Sequence, residues 1–251
     1  MPRYRLTMEY AGTRYSGWQR QQNAKTVQGE LHRALQTVLG KTPFETYGSG
    51  RTDAGVHALA QVASVALTAS HEAGAIQRGL NAVLPPAVRV VSVEDAPPGF
   101  HARFDATGKV YEYRIVNAPF ISAFLVRHAW HVPQPLDVDA MREAAGALVG
   151  RHDFATFQGA GSDVRDTIRT IESIEWSGQP GAAGNAAPLT VTLTADGFLR
   201  HMVRSVVGTL VEVGVGRWPA AEVAAILASR DRARAGRTAP PQGLLLVRVR
   251  Y

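Results

Sequence analysis

The sequence predicts an α+β protein of two β-α-β-β-α-β halves, each a split βαβ arrangement in which helices cover one face of a mixed, mainly antiparallel sheet. Three observations predict it. Short segments alternate polar and apolar residues with the period of a strand, longer segments between them carry apolar residues at helical spacing, and the same order recurs after the break Pro97-Pro98-Gly99. Two such sheets side by side would form a central cleft. The halves are expected to be domains spanning 1–105 and 106–251.

In the first half, Tyr4, Leu6, Met8 and Tyr10 fall on one side of a strand over Arg3–Tyr10, with Arg3, Arg5, Thr7 and Glu9 on the other. Val27, Leu31, Ala34, Leu35, Val38 and Leu39 then mark a helix opened by Thr26 and closed by Gly40. A strand near Phe44–Tyr47, a strand over Gln61–Leu67, a helix carrying Ile76, Leu80, Val83 and Leu84, and a strand over Val88–Val93 complete it. Pro85 and Pro86 separate the last two.

The second half reads as strand Lys109–Val116, helix Val138–Val149, strands Ile168–Trp176 and Leu189–Ala195, helix Phe198–Val213 and strand Leu244–Arg250. An additional helix over Pro219–Ser229 is expected to carry its proline in the first turn. Ser177 to Pro188, rich in Gly, Ala and Pro, reads as a flexible hairpin loop, and Arg230 to Gln242 as a basic connection. The halves share no visible sequence repeat.

Composition narrows the function classes. With 251 residues, 45% of them hydrophobic, the chain can build one large or two modest cores. It contains no cysteine, which excludes disulfide scaffolds, thiolate metal sites and cysteine nucleophiles. No apolar run reaches the length of a membrane span and Met1 to Tyr10 lacks a signal-peptide core, so a cytoplasmic protein is expected. The net charge is +6, and nearly all cations are arginine, whose planar fork suits phosphate. Nine arginines against Glu212, Glu222 and Asp231 between Arg200 and Arg250 form a cationic region that calls for an anionic partner, RNA first among them.

The densest chemical signal is Gly48-Ser49-Gly50-Arg51-Thr52-Asp53-Ala54-Gly55-Val56-His57, which places a carboxylate, a guanidinium, a hydroxyl and an imidazole in one loop. By itself Asp53 reads first as a turn residue bonding its own backbone, the commoner fate of an Asp beside glycines. A phosphate-cradling P-loop lacks its Lys-Ser/Thr ending here, and a dinucleotide fingerprint lacks its helix. His57 has no second His at ligand spacing, so no metal and no cofactor are implied.

Several segments together resemble the tRNA pseudouridine synthase A family. They are Tyr10-Ala11-Gly12-Thr13-Arg14-Tyr15-Ser16-Gly17-Trp18-Gln19-Arg20-Gln21, the loop Gly50 to Ala58, Asn81 to Pro85, Phe100-His101-Ala102-Arg103-Phe104, Tyr111-Glu112-Tyr113-Arg114, Asp153-Phe154, Phe198 to Gly216 and Thr238 to Val247. The resemblance runs from end to end and implies the pseudouridine synthase fold. It departs at Leu245, where an aromatic is commoner, and in the longer loop Ser177 to Pro188. It further implies isomerisation of uridine to pseudouridine at positions 38, 39 and 40 of the tRNA anticodon stem-loop, by a homodimer.

On that resemblance Asp53 is the nucleophile or base and Arg51 its catalytic neighbour. Tyr111 stacks on the uracil and Leu245 lines its pocket. Arg200, His201 and Arg204, read as a cationic strip on the helix after Phe198, contact RNA, as do Arg20 and Arg217. Flipping the base out of its stem is required before Asp53 can reach the sugar. Two other classes stand against this reading: a catalytically silent RNA-binding protein, and an enzyme that hydrolyses nucleosides and releases free base.

Overall fold

A computed structural model describes residues 1–162, 164–178 and 188–251. The chain divides into two compact units, Met1–Thr107 with Leu245–Tyr251, and Gly108–Leu244. Among the described residues no helix is long and apolar enough to cross a membrane.

The first unit contains β1 (Arg3–Tyr10), α1 (Val27–Leu39), β2 (Phe44–Gly48), β3 (His57–Leu67), α2 (Ala73–Val83) and β4 (Val88–Ala96), in the order that the sequence pattern predicts. Strand β1 buries Tyr4, Leu6, Met8 and Tyr10, the side that alternation assigns to the core. Helix α1 begins where expected. The Thr26 hydroxyl accepts the Gly29 N–H at 3.2 Å, a cap worth about 1 kcal/mol, and Gly40 ends the helix with φ of 58°.

Strand β3 organises the sheet. One edge pairs antiparallel with β1 from Ala58 to Ala66. The other edge is divided: β2 pairs antiparallel with Ala63 to Leu67, while the last strand of the chain, β10 (Leu244–Arg250), pairs in parallel through Leu245 with His57 and Leu246 with Ala58. The sequence pattern placed this last strand in the second half; its pairing puts Leu245–Tyr251 in the first unit. With partners on both edges, β3 is buried almost throughout and shows no clean alternation.

The second unit contains β5 (Gly108–Val116), β6 (Trp130–His131), α3 (Val138–Gly146), β7 (Gly150–Asp153), β8 (Ile168–Ser177), β9 (Leu189–Ala195), α4 (Met202–Gly214) and α5 (Glu222–Ser229). Its strands lie in the order β5-β9-β8-β7, antiparallel throughout, with β6 added in parallel to β5. Strands β6 and β7, of two and four residues, are too short to show a period and went unread in the sequence. The expected loop Ser177 to Pro188 lies, between Gly178 and Pro188, outside the described residues.

Two helix starts differ from expectation. Helix α4 begins at Met202 instead of Phe198 because His201 adopts a left-handed conformation, φ 60°, which a helix interior does not accommodate. Helix α5 begins at Glu222, leaving Pro219 outside it. Helix α4 is buried almost all round, Arg204 being the half-buried exception, so it is a core helix and not an amphipathic strip. The basic connection crosses it at Gly208, where a Cβ would meet the Arg237 carbonyl oxygen. Gly236 N–H donates to Thr209 Oγ1 at 2.9 Å and Ala239 N–H to the Arg204 carbonyl at 3.0 Å, tying this strap to the helix backbone.

Candidate active site

In the first unit, the loop from Gly48 to His57 joins β2 to β3 and is held from outside by the segment Tyr10 to Trp18. Trp18 N–H donates to the Thr52 carbonyl at 3.1 Å, and Gly55 N–H to the Tyr15 carbonyl at 3.2 Å. The Tyr10 and Thr52 hydroxyls lie 2.8 Å apart. Gly12 and Gly17 make this approach possible: a Cβ at Gly12 would strike the Val56 carbonyl oxygen, and one at Gly17 would lie 2.6 Å from the Thr52 oxygen. The Trp18 indole, 2% exposed, fills the space that a side chain at Gly48 would need.

The loop is fixed at both ends. Ser49 Oγ donates to Gln61 Oε1 at 2.6 Å, and Gln61 Nε2 to the Gly50 carbonyl at 3.0 Å. Asp53 itself begins a turn closed by the Val56 N–H on its carbonyl at 3.2 Å, with Gly55 at φ 80°. This backbone holds the Asp53 side chain half-buried, while Arg51 is exposed. His57 has a structural part: it is buried, and its Nδ1 accepts the Gly12 N–H at 3.1 Å. Leu245 is drawn to the same place by its pairing with His57 and is buried there, so the first unit brings Arg51, Asp53 and Leu245 to one end of β3.

Arg20 stands elsewhere in this unit, in a surface groove shared with Lys25, His32 and Arg33 at the start of α1. Glu30 anchors two of these cations, its buried carboxylate pairing with Lys25 at 3.8 Å and with Arg33.

In the second unit Tyr111 lies on β5 opposite Leu193, 8% exposed, with its ring edge-to-face against Phe198 at 5.1 Å. Two residues on, Tyr113 donates its hydroxyl to the Pro240 carbonyl at 2.7 Å, and burial pushes its phenol well above the ordinary tyrosine range. A buried, hydrogen-bonded phenol of this kind supports the strap.

The expected strip of Arg200, His201 and Arg204 is not a helix face. Arg200 and His201 precede α4, and Arg200 Nη1 donates to the Gly161 carbonyl at 2.7 Å. The His201 ring covers Gly159. Arg204 Nε donates to the Ala239 carbonyl at 2.7 Å and so fastens the strap. Arg217 pairs with the buried carboxylate of Glu212 at 2.9 Å, a position Arg237 approaches at 3.7 Å while lying over the Trp130 ring. The glycines that seat the opening segment against the Asp53 loop carry no role in the sequence reading, although both stand among its quoted motifs.

The chain is similar to known proteins along its whole length. A family model described as tRNA pseudouridine synthase matches residues 6–105 and 144–251. A tRNA pseudouridine synthase A from Myxococcus xanthus is 46% identical over 251 residues, covering 100% of this chain and 92% of its own. A protein of the same name from Bradyrhizobium diazoefficiens is 43% identical over 252 residues, covering 100% of both chains. Another, from Rhodopseudomonas palustris, is 42% identical over its full length.

Proposed function

The chain belongs to the tRNA pseudouridine synthase family, and from that membership we propose that it isomerises uridine to pseudouridine at positions 38, 39 and 40 of the tRNA anticodon stem-loop. Asp53 supplies the carboxylate that opens the glycosidic bond, by attack on C1′, by attack on C6 or by removing a sugar proton. The uracil then turns while held, C5 bonds to C1′ and gives up its proton, and N1, freed from the sugar, takes one up. Atoms and electrons balance within the substrate itself, so the reaction calls for no cofactor.

The observation that carries this reading is the immobilised loop. Backbone hydrogen bonds from Trp18 and Gly55 and the two close glycine contacts hold Asp53 half-buried in one geometry, as a group that must meet a flipped sugar requires. Arg51, two residues before Asp53, supplies positive charge for the carboxylate or for a substrate phosphate. Tyr111, already edge-packed by Phe198, offers the ring on which the uracil stacks. Leu245 gives the pocket an apolar wall that excludes water, favouring recapture of the base over its loss by hydrolysis. Arg20, Arg200, His201, Arg204 and Arg217 belong to the same proposal as RNA contacts, with Arg204 and Arg217 also serving the fold.

Tritium release from unmodified tRNA labelled at uracil C5 tests the proposal. Release by the wild type and loss of about 10³-fold or more with Asp53→Asn is the expected result. RNA binding with no release would leave a silent RNA-binding protein, and free uracil among the products would mean hydrolysis. The enzyme is proposed to act as a homodimer in the cytoplasm; sedimentation as a monomer would overturn the first part.

A further inference from the structure

Loop 97–105 follows β4 in the first unit, and its backbone is tied down at many points. Phe100 accepts Arg3 Nη1 on its carbonyl at 3.1 Å. Ala102 donates its N–H to Ser64 Oγ at 3.3 Å and accepts the Tyr251 hydroxyl on its carbonyl at 2.8 Å. His101 N–H donates to Asp105 Oδ2 at 2.9 Å. The side chains between these anchors nevertheless point outward, and Phe104 is 75% exposed.

These side chains form a graded stack. The Tyr47 ring, 43% exposed at the end of β2, lies 4.8 Å from the His101 ring. His101 stacks on Phe104 at 4.3 Å with planes 30° apart, and the Arg103 guanidinium sits 5.7 Å from the Phe104 ring centre. His101 cannot swing away, because its Nδ1 accepts the N–H groups of both Arg103 at 3.1 Å and Phe104 at 3.2 Å. An aromatic side chain held rigidly in water, beside a cation and with its far side supported by a second ring, gains nothing for the fold.

We propose that this stack is a platform for an unpaired nucleobase of the tRNA substrate, with the Phe104 ring receiving the base and Arg103 the adjoining phosphate. The proposal rests on the reading above that the chain acts on tRNA. Every base offers a π face, so such a platform is tolerant of sequence, and the guanidinium supplies both stacking and charge. Its attachment to the Asp53 loop is direct. Tyr47 precedes Gly48, where that loop opens, and the Tyr251 phenol that anchors Ala102 lies beside Ser49 of that loop. A base seated there is held in a fixed relation to the loop.

Two variants test it with an anticodon stem-loop transcript as probe, beside a fully paired duplex of equal phosphate number. In Phe104→Trp, stacking of a base quenches the new indole emission; quenching by the stem-loop and not by the duplex is expected. In Phe104→Ala the stem-loop dissociation constant rises about five-fold or more, while the slope of affinity against salt stays the same, since no phosphate contact is lost. Absence of quenching together with unchanged affinity overturns the platform. So does an unchanged affinity accompanied by altered sedimentation, which would make the surface a contact between copies of the chain. Pseudouridine formation by the wild type is measured on the same transcript. Turnover without any Phe104 effect overturns the platform and leaves the activity standing, whereas quenching without turnover supports the platform and removes the activity.

Discussion

The backbone N–H of Gly12 donates to Nδ1 of His57 at 3.1 Å, joining the opening segment to the first residue of β3. Because Nδ1 accepts, the hydrogen of the neutral ring resides on Nε2, and the imidazole locks the end of the loop that carries Asp53. Gly12 is irreplaceable for a second reason, the close approach of the Val56 carbonyl. Gly12→Ala is expected to destabilise the first unit by about 1–3 kcal/mol through overpacking, and to lower turnover further by shifting the loop. Urea unfolding beside the tritium assay measures both, and a variant as stable as wild type would show that the contact yields.

Tyr111 is expected to act through its ring face. Tyr111→Phe keeps the edge contact with Phe198 and should retain most of kcat/KM if stacking is its task. Tyr111→Ala should lose about 5- to 150-fold, the range of one base stacked on one aromatic. A large loss in the phenylalanine variant would instead place the hydroxyl in the chemistry, as the proton carrier at C5.

Much of this fold is legible in the sequence, and the gaps have physical causes. Strand β1 and the cap of α1 are recovered because period-2 alternation and a Thr26 hydroxyl are local signals. Strand β10 is found residue for residue, yet its partner is not, since pairing Leu245 with His57 spans most of the chain and leaves no local trace. Arg200 and Arg204 stand four apart in a segment of helical composition, and only the left-handed backbone at His201 reveals that no common helix carries them. For the site, the residue types in the Asp53 loop are plain from the sequence, whereas the contacts that immobilise it come from glycines whose role is visible only in three dimensions.

Glu212 predicts a failure of additivity. Its carboxylate is buried in α4, and its partners Arg217 and Arg237 reach in from exposed positions. Arg217→Ala or Arg237→Ala should each cost about 0.2–1 kcal/mol, as exposed guanidinium groups do. The double variant leaves a buried charge without either cation and should cost about 3 kcal/mol, more than the sum. A double-mutant cycle by denaturant titration decides, and strict additivity would mean that the carboxylate finds other compensation.

Asp153 gives a pH dependence. The Thr167 hydroxyl, at 2.6 Å, is the main cause holding its carboxyl below the usual range, assisted by the Ala155 N–H and Arg230 against the opposing effect of burial. A depressed folded-state pKa contributes stability above the unfolded value, about 3.9, and loses it as pH falls through the folded value. Asp153→Asn should therefore be less stable than wild type at neutral pH, with the difference closing in acid below about pH 4. Thermal unfolding across pH checks this; a constant difference would contradict it.

The divided edge of β3 has a consequence for biosynthesis. The segment that occupies half of that edge lies far along the sequence from β3, so a growing polypeptide carries the Asp53 loop with its neighbouring strand still missing until β10 has been translated. Pairing over so great a sequence separation is slow to form, and an unfilled strand edge is a place where other chains can attach. A premature stop before Leu245 would thus spare every residue of the loop and its hydrogen bonds to the opening segment, yet leave the start of β3 without its parallel partner and its edge open.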